Sequence, residues 1–135
     1  MPVGPAGVEF ATVAHTELTN SYQDLVRVTV TAPSNGFVVL TACGYVEIVN
    51  PRGHAGAGVS SGTTSGGANS AETGVQLPLS APVTGTYRLP FSLTTVVGVR
   101  RGNTRLYMVG IKDPGPHTGS ANGLGLTALF VRERV

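Results

Sequence analysis

Arg100, Arg101 and Arg105 form the densest cationic group in this chain. Guanidinium groups present paired N–H donors to planar anions. Multiplied by symmetry in a trimer, the three would become a ring of cations suited to a phosphate, a sialylated glycan or an acidic protein patch. The same residues also suit a solvated turn whose charges protect a sheet edge. Residue type and spacing leave both readings open.

The remaining chemistry is sparse. His15, His54 and His117 are far apart, and none has a second histidine or cysteine two or four residues on. No metal site within one subunit is therefore expected, although a single histidine repeated around a threefold axis is a geometry able to bind metal. Cys43 is the only cysteine, which excludes an intrachain disulfide, and its place in an apolar run suits a small buried hydrophobe. Gly123-x-Gly125-x-x-Ala128 has the outline of a dinucleotide fingerprint, yet only seven residues follow Ala128. That motif needs a helix after it and an acid about 20 residues later. Serine is plentiful, but no acid and histidine are placed to orient a base. Asn-x-Ser/Thr is absent, so no conventional N-glycan site is offered. The expectation is a non-enzymatic protein with no cofactor and no metal.

Composition limits what can position these residues. The chain of 135 residues has the length of one compact domain, 1–135, able to bury a core without disulfides. Charged residues make up 12%, about half of the usual share of roughly 25%, and Gly, Ser and Thr supply the missing polarity. That mixture suits an all-β protein and leaves few charges to solvate a large free surface. A net charge of +2 is too small for a nucleic-acid-binding face. Residues 1–8 read as a flexible segment without the basic and apolar stretches of a secretion signal, and no run of 18 apolar residues offers a membrane span.

Short alternating runs separated by turn residues dominate the sequence. Glu9 to His15 reads as a first strand, and Leu25 to Thr31 as a half-buried one with Val26, Val28 and Val30 inward. The turn Ala32-Pro33-Ser34-Asn35-Gly36 predicts a hairpin into the long strand Gly36 to Val49. Residues 52–74 read as a long Gly/Ser-rich loop, with at most a short strand around Ala57 to Ser60. Val75 to Leu79 resumes strand character. Tyr87 to Phe91 suits an edge strand, because Pro90 cannot donate to a ladder. Leu93 to Val99, a hairpin turn at 100–103, Thr104 to Ile111, a loop over Asp113 to Gly123 and a last strand over Leu124 to Val131 complete the chain. No stretch shows a helical stripe, so the fold class is an antiparallel β-sandwich or barrel.

Three of these strands are apolar on both sides. In Gly36 to Val49, Val38, Leu40, Ala42, Val46 and Ile48 share one side, with Phe37, Val39, Cys43 and Tyr45 on the other. Thr104 to Ile111 and Leu124 to Val131 repeat the pattern, with Tyr107 and Val109, and Leu129 and Val131, as their second apolar sides. A strand greasy on both faces needs two covers. If the three lie in one sheet, the second cover is another copy of the chain, and these eight residues are the expected oligomer interface.

The order of Pro33-Ser34-Asn35-Gly36-Phe37, the long strand behind it, the penultimate strand after Arg101-Gly102-Asn103 and the closing Leu129-Phe130 resembles the trimeric jelly-roll superfamily of tumour necrosis factor and complement globular heads. The resemblance covers most of Phe10 to Val131, with Gly36-Phe37 and Phe130 in the places of the family's Gly-aromatic turn and C-terminal aromatic. It implies a jelly-roll homotrimer and lends no ligand, since the collagen stalk is absent and no acidic cluster matches the calcium site of some members. Two functions follow as expectations. One is an extracellular recognition or adhesion head, displaying loops 52–74 and 113–123 to a glycan or protein. The other is a structural particle protein on a virion surface, such as a phage tail-fibre tip or capsid decoration trimer.

Overall fold

The computed structural model describes residues 8–51, 53–66, 74–81, 85–114 and 118–132. Eight strands run through them: β1 (Val8–Leu18), β2 (Gln23–Ala32), β3 (Gly36–Val49), β4 (Gly53–Gly62), β5 (Gly74–Ala81), β6 (Thr86–Val99), β7 (Gly102–Lys112) and β8 (Thr118–Arg132). They form two antiparallel four-stranded sheets, in the orders β1-β8-β3-β6 and β2-β7-β4-β5. Every consecutive pair except β4 and β5 changes sheet. That repeated crossing, with the first and last strands paired to each other, is the jelly roll.

Alternation decides which side chains fill the space between the sheets. Val38, Leu40, Ala42, Val46 and Ile48 of β3 meet Leu124, Leu126 and Ala128 of β8, with Val26, Val28 and Val30 of β2 and Leu106 and Met108 of β7 opposite them, all buried in one core. The expected inward side of β3 is the side observed. Ser61 and Thr95 also point into this core, and their hydroxyl oxygens are 3.2 Å apart, so each satisfies the other across the two sheets.

Four expectations require correction. The turn at 32–36 is not a hairpin, since β2 pairs with β7 whereas β3 pairs with β6 and β8. The turn at 100–103 likewise joins two sheets rather than two paired strands. Pro, Asn and Gly suit a corner between sheets as well as a hairpin, and the alternation on either side is the same in both. The two corners are tied together: the Arg101 backbone N–H donates to Asn35 Oδ1 at 3.0 Å, and Thr31 Oγ1 donates to Asn103 Oδ1 at 2.7 Å.

The third correction concerns the two display loops. Most of 52–66 is strand β4, and the 113–123 loop gives way to β8 at Thr118. Ala55 to Gly62 are all buried, Ser60 and Ser61 included. A strand of small residues covered on both faces shows no oily alternation to read. Residues 67–73, 82–84, 115–117 and the N-terminal 1–7 lie outside the described residues. Finally, Tyr87 to Phe91 and Leu93 to Val99 are one strand, β6, which is at the edge of its sheet as Pro90 predicts.

Glycine is required where β3 meets β8. At Gly36 a Cβ would collide with the Val131 carbonyl oxygen and come within 2.8 Å of the Phe130 ring, so the Gly-aromatic turn works by close approach of two backbones. Gly44 has φ +154°, and a Cβ there would sit 2.8 Å from Leu124. It adjoins the register shift between Cys43 and Tyr45 in the β3–β8 ladder.

Candidate functional site: the outer face of the β1-β8-β3-β6 sheet

Register lines up the outward side chains of this sheet in rows. Val8 is opposite Leu129, Leu129 opposite Val39, and Val39 opposite Val96, which gives one apolar row from edge to edge of the sheet. Phe37 and Val131 form the neighbouring row towards the 36/132 end, and Phe10 heads the row on the other side. Six of the seven large hydrophobic side chains that are exposed among the described residues lie on this face: Val8, Phe10, Phe37, Val96, Leu129 and Val131. Exposed apolar side chains scattered singly need no explanation, but a contiguous patch does. Cys43, expected to be buried, is exposed here beside Gly125, whose Cβ position is 3.4 Å from Cys43 Sγ.

The opposite end of the same face is polar. Asn122 lies between His15 on β1 and Tyr45 on β3, and Ser120 lies between Glu17 and Glu47. His15 Nδ1 lies 2.6 Å from Asn122 Oδ1, and Nε2 lies 3.0 Å from Glu17 Oε1. The Asn122 Nδ2 group donates in turn to Ser120 Oγ at 3.0 Å, which fixes the amide with its oxygen towards the histidine. Arg88 reaches Glu47 at 3.0 Å and places its guanidinium 5.6 Å from the centre of the Tyr45 ring.

Both partners of His15 are acceptors, and only the imidazolium has two N–H groups to offer them. The bond to Asn122 raises the His15 pKa above 6.5 and that to Glu17 raises it further; burial opposes the rise, and the Glu17 and Glu47 charges add to it. A folded-state pKa above the unfolded one stabilises the fold fully below the unfolded value and ceases to do so as pH rises through the folded value. An NMR titration of His15 is expected to show an inflection above the model-peptide value, and Asn122→Ala should move it downward. An unchanged inflection in that variant would show that Asn122 does not hold the proton.

The eight expected interface residues do not share one surface. Phe37, Val39, Cys43, Tyr45, Leu129 and Val131 lie on the face just described. Tyr107 and Val109 lie on β7, in the other sheet, so the premise of three strands in one sheet fails for it. Tyr107 and Val109 alternate with the core residues Leu106 and Met108 and so point away from the first sheet. Val109 is 1% exposed within its own chain. It lies between Asp24 of β2 and Ser60 of β4, and the chain beyond β4 returns across it to Asp24, where Ser65 Oγ–H donates at 2.5 Å and the Gly66 N–H at 2.8 Å. At Val109 the second cover is thus part of the same chain, whereas Tyr107 is half-buried.

Val8, Phe10 and Val96 were not among the expected interface residues. Val8 and Phe10 alternate with Glu9, a signal for an outward apolar side, but the expected strand starts at Glu9 and leaves Val8 in the flexible segment, whereas β1 starts at Val8. Val96 stands between Thr95 and Val97 with no pattern to show which way it faces. Arg100 and Arg101 are exposed at the β6–β7 corner, and Arg105 is exposed on β7. Of His54 only the backbone is described, and His117 lies outside the described residues.

The sequence matches no protein-family model and no curated relative. Among solved structures, the globular domain of zebrafish complement 1qA protein is similar over 96% of this chain and 99% of its own, with 12% identity and a TM-score of 0.49. Eiger TNF from S. frugiperda is similar over 98% of this chain and 90% of its own, with 12% identity and a TM-score of 0.40. The infectious bursal disease virus Gx strain structure is similar over 90% of this chain and 31% of its own, with 14% identity and a TM-score of 0.41. The first two belong to the superfamily that the sequence resembles. No helix among the described residues is long and apolar enough to cross a membrane.

Proposed function

We propose that this chain is a non-enzymatic recognition head that assembles as a homotrimer through the outer face of the β1-β8-β3-β6 sheet and works on a particle or outside the cell. One observation carries the reading: the row Val8, Leu129, Val39 and Val96, with Phe10, Phe37 and Val131 around it, is apolar across the width of the sheet and has no cover among the described residues of its own chain. An apolar patch of this kind on a chain poor in charge is a surface made to be covered. The threefold number comes from the resemblance to the trimeric jelly rolls. Assembly on this face leaves the exposed Arg27, Thr29 and Arg105 of the second sheet away from the interface in every copy. Avidity from three copies then strengthens individually weak contacts.

Light scattering or sedimentation equilibrium at micromolar concentration tests the reading. The expected mass is three times 13.8 kDa. A dimer would overturn the threefold arrangement, and a monomer of undiminished solubility would overturn the interface itself.

A further inference from the structure

The outer face of the other sheet has its own chemistry. Register places Arg27 of β2 opposite Tyr107 of β7, and Thr29 opposite Arg105. Side chains of directly paired residues share a face, so Arg27, Thr29, Arg105 and Tyr107 stand together on the side away from the core valines Val28 and Val30. Arg27, Thr29 and Arg105 are exposed, and Tyr107 is half-buried. Arg100 and Arg101, also exposed, stand at the head of the same strand. The ion pairs among the described residues join His15 to Glu17 and Arg88 to Glu47, so none neutralises these four arginines. Asp24, the acid on β2, is engaged at the far end by Ser65 and Gly66.

Four guanidiniums with no ion pair among the described residues, on β2, on β7 and at the corner before β7, form a track rather than a pocket. From Arg101 to Arg105 is about 13 Å at the usual rise per residue, and Arg27 beside Tyr107 extends the track by about 7 Å. A ligand with one terminal charge would use one of these positions. An extended chain with an anionic group on successive units can use them all. Guanidinium pairs bind sulfate oxygens through two N–H groups. The half-buried Tyr107 ring and the exposed Thr29 hydroxyl beside them suit the apolar face and hydroxyls of a sugar ring.

We propose that the outer face of the β2-β7-β4-β5 sheet binds a linear sulfated glycan, with Arg27 and Arg105 as its central sulfate contacts, Tyr107 under a sugar ring and Arg100 and Arg101 at one end. This gives the recognition reading a ligand class. It does not depend on the trimer, because each chain carries the whole track.

The test is calorimetric titration of the full chain with a heparin octasaccharide. Binding is expected to weaken as salt rises, to vanish with the desulfated octasaccharide, and to fall at least tenfold in the double variant Arg27→Ser, Arg105→Ser. Arg88→Ser, on the other sheet, should leave it unchanged. Equal binding of the desulfated sugar, or of the double variant, overturns the proposal. Equal binding of an oligoglutamate peptide, a sialylated oligosaccharide or a single-stranded oligonucleotide of matched charge overturns the assignment to sulfated glycans. A monomeric mass with glycan binding intact would sink the assembly reading alone, and a trimeric mass without binding would sink this one alone.

Discussion

Replacing Leu129 with aspartate is expected to leave the chain folded and to reduce its solution mass from three times 13.8 kDa to 13.8 kDa. In one chain Leu129 is 45% exposed, so a carboxylate there keeps water around it. In the proposed assembly the same position lies inside the apolar row, between Val8 and Val39, and the charge is stripped of water with no cation on that row to meet it. Burying an unpaired carboxylate costs several kcal/mol even after relaxation, and three copies incur that cost together. Sedimentation equilibrium read beside circular dichroism separates the two halves of the expectation. A folded variant that remains a trimer would place the interface elsewhere, and loss of the fold would mean that Leu129 belongs to the core.

Leu40→Ala is expected to act in the opposite way, lowering stability by about 2–5 kcal/mol while leaving the interface chemistry untouched. Leu40 has no exposed surface and lies at the middle of β3, with Ala128 opposite on β8 and Thr95 on β6. Those small neighbours have little side chain to lean into the space left behind, and Thr95 is held by its bond to Ser61. The cavity term therefore stays near its full value. Urea unfolding at matched protein concentration reads the loss, since an assembled protein's midpoint depends on concentration. A loss below about 1 kcal/mol would mean that the two sheets close over the gap.

The sequence was most legible where apolar and polar residues alternate. Val26, Val28 and Val30, the even side of β3, and Leu124, Leu126 and Ala128 all lie inside as their spacing requires. It was least legible in β4, where Ala55 to Gly62 are buried on both sides and size, not polarity, adapts them to their place. Pairing was also hidden. Alternation reports which way a side chain faces but not which strand lies beside it, so a corner at 32–36 and a hairpin look alike until β7 is seen next to β2. The same gap separates Tyr107 and Val109 from Phe37 and Leu129. Their strands look equivalent one at a time, and only the sheet order sends them to opposite faces. For the basic residues, sequence proximity found Arg100, Arg101 and Arg105 but not Arg27, which joins them through cross-strand pairing alone.

The jelly-roll connectivity also dictates how this chain reaches its fold. Only β4 pairs with its immediate successor in sequence, β5, whereas the β1–β8 ladder joins Val8 to Leu129, at opposite ends of the chain. Nearly every ladder thus costs loop-closure entropy before it gains contacts, which makes folding slow. Throughout that delay β3 and β8 hold two apolar sides open to solvent, one destined for the core and one for the proposed neighbouring copy. Aggregation grows with chain concentration while closure of the sandwich does not, so the yield of native protein is set by a race that dilution favours.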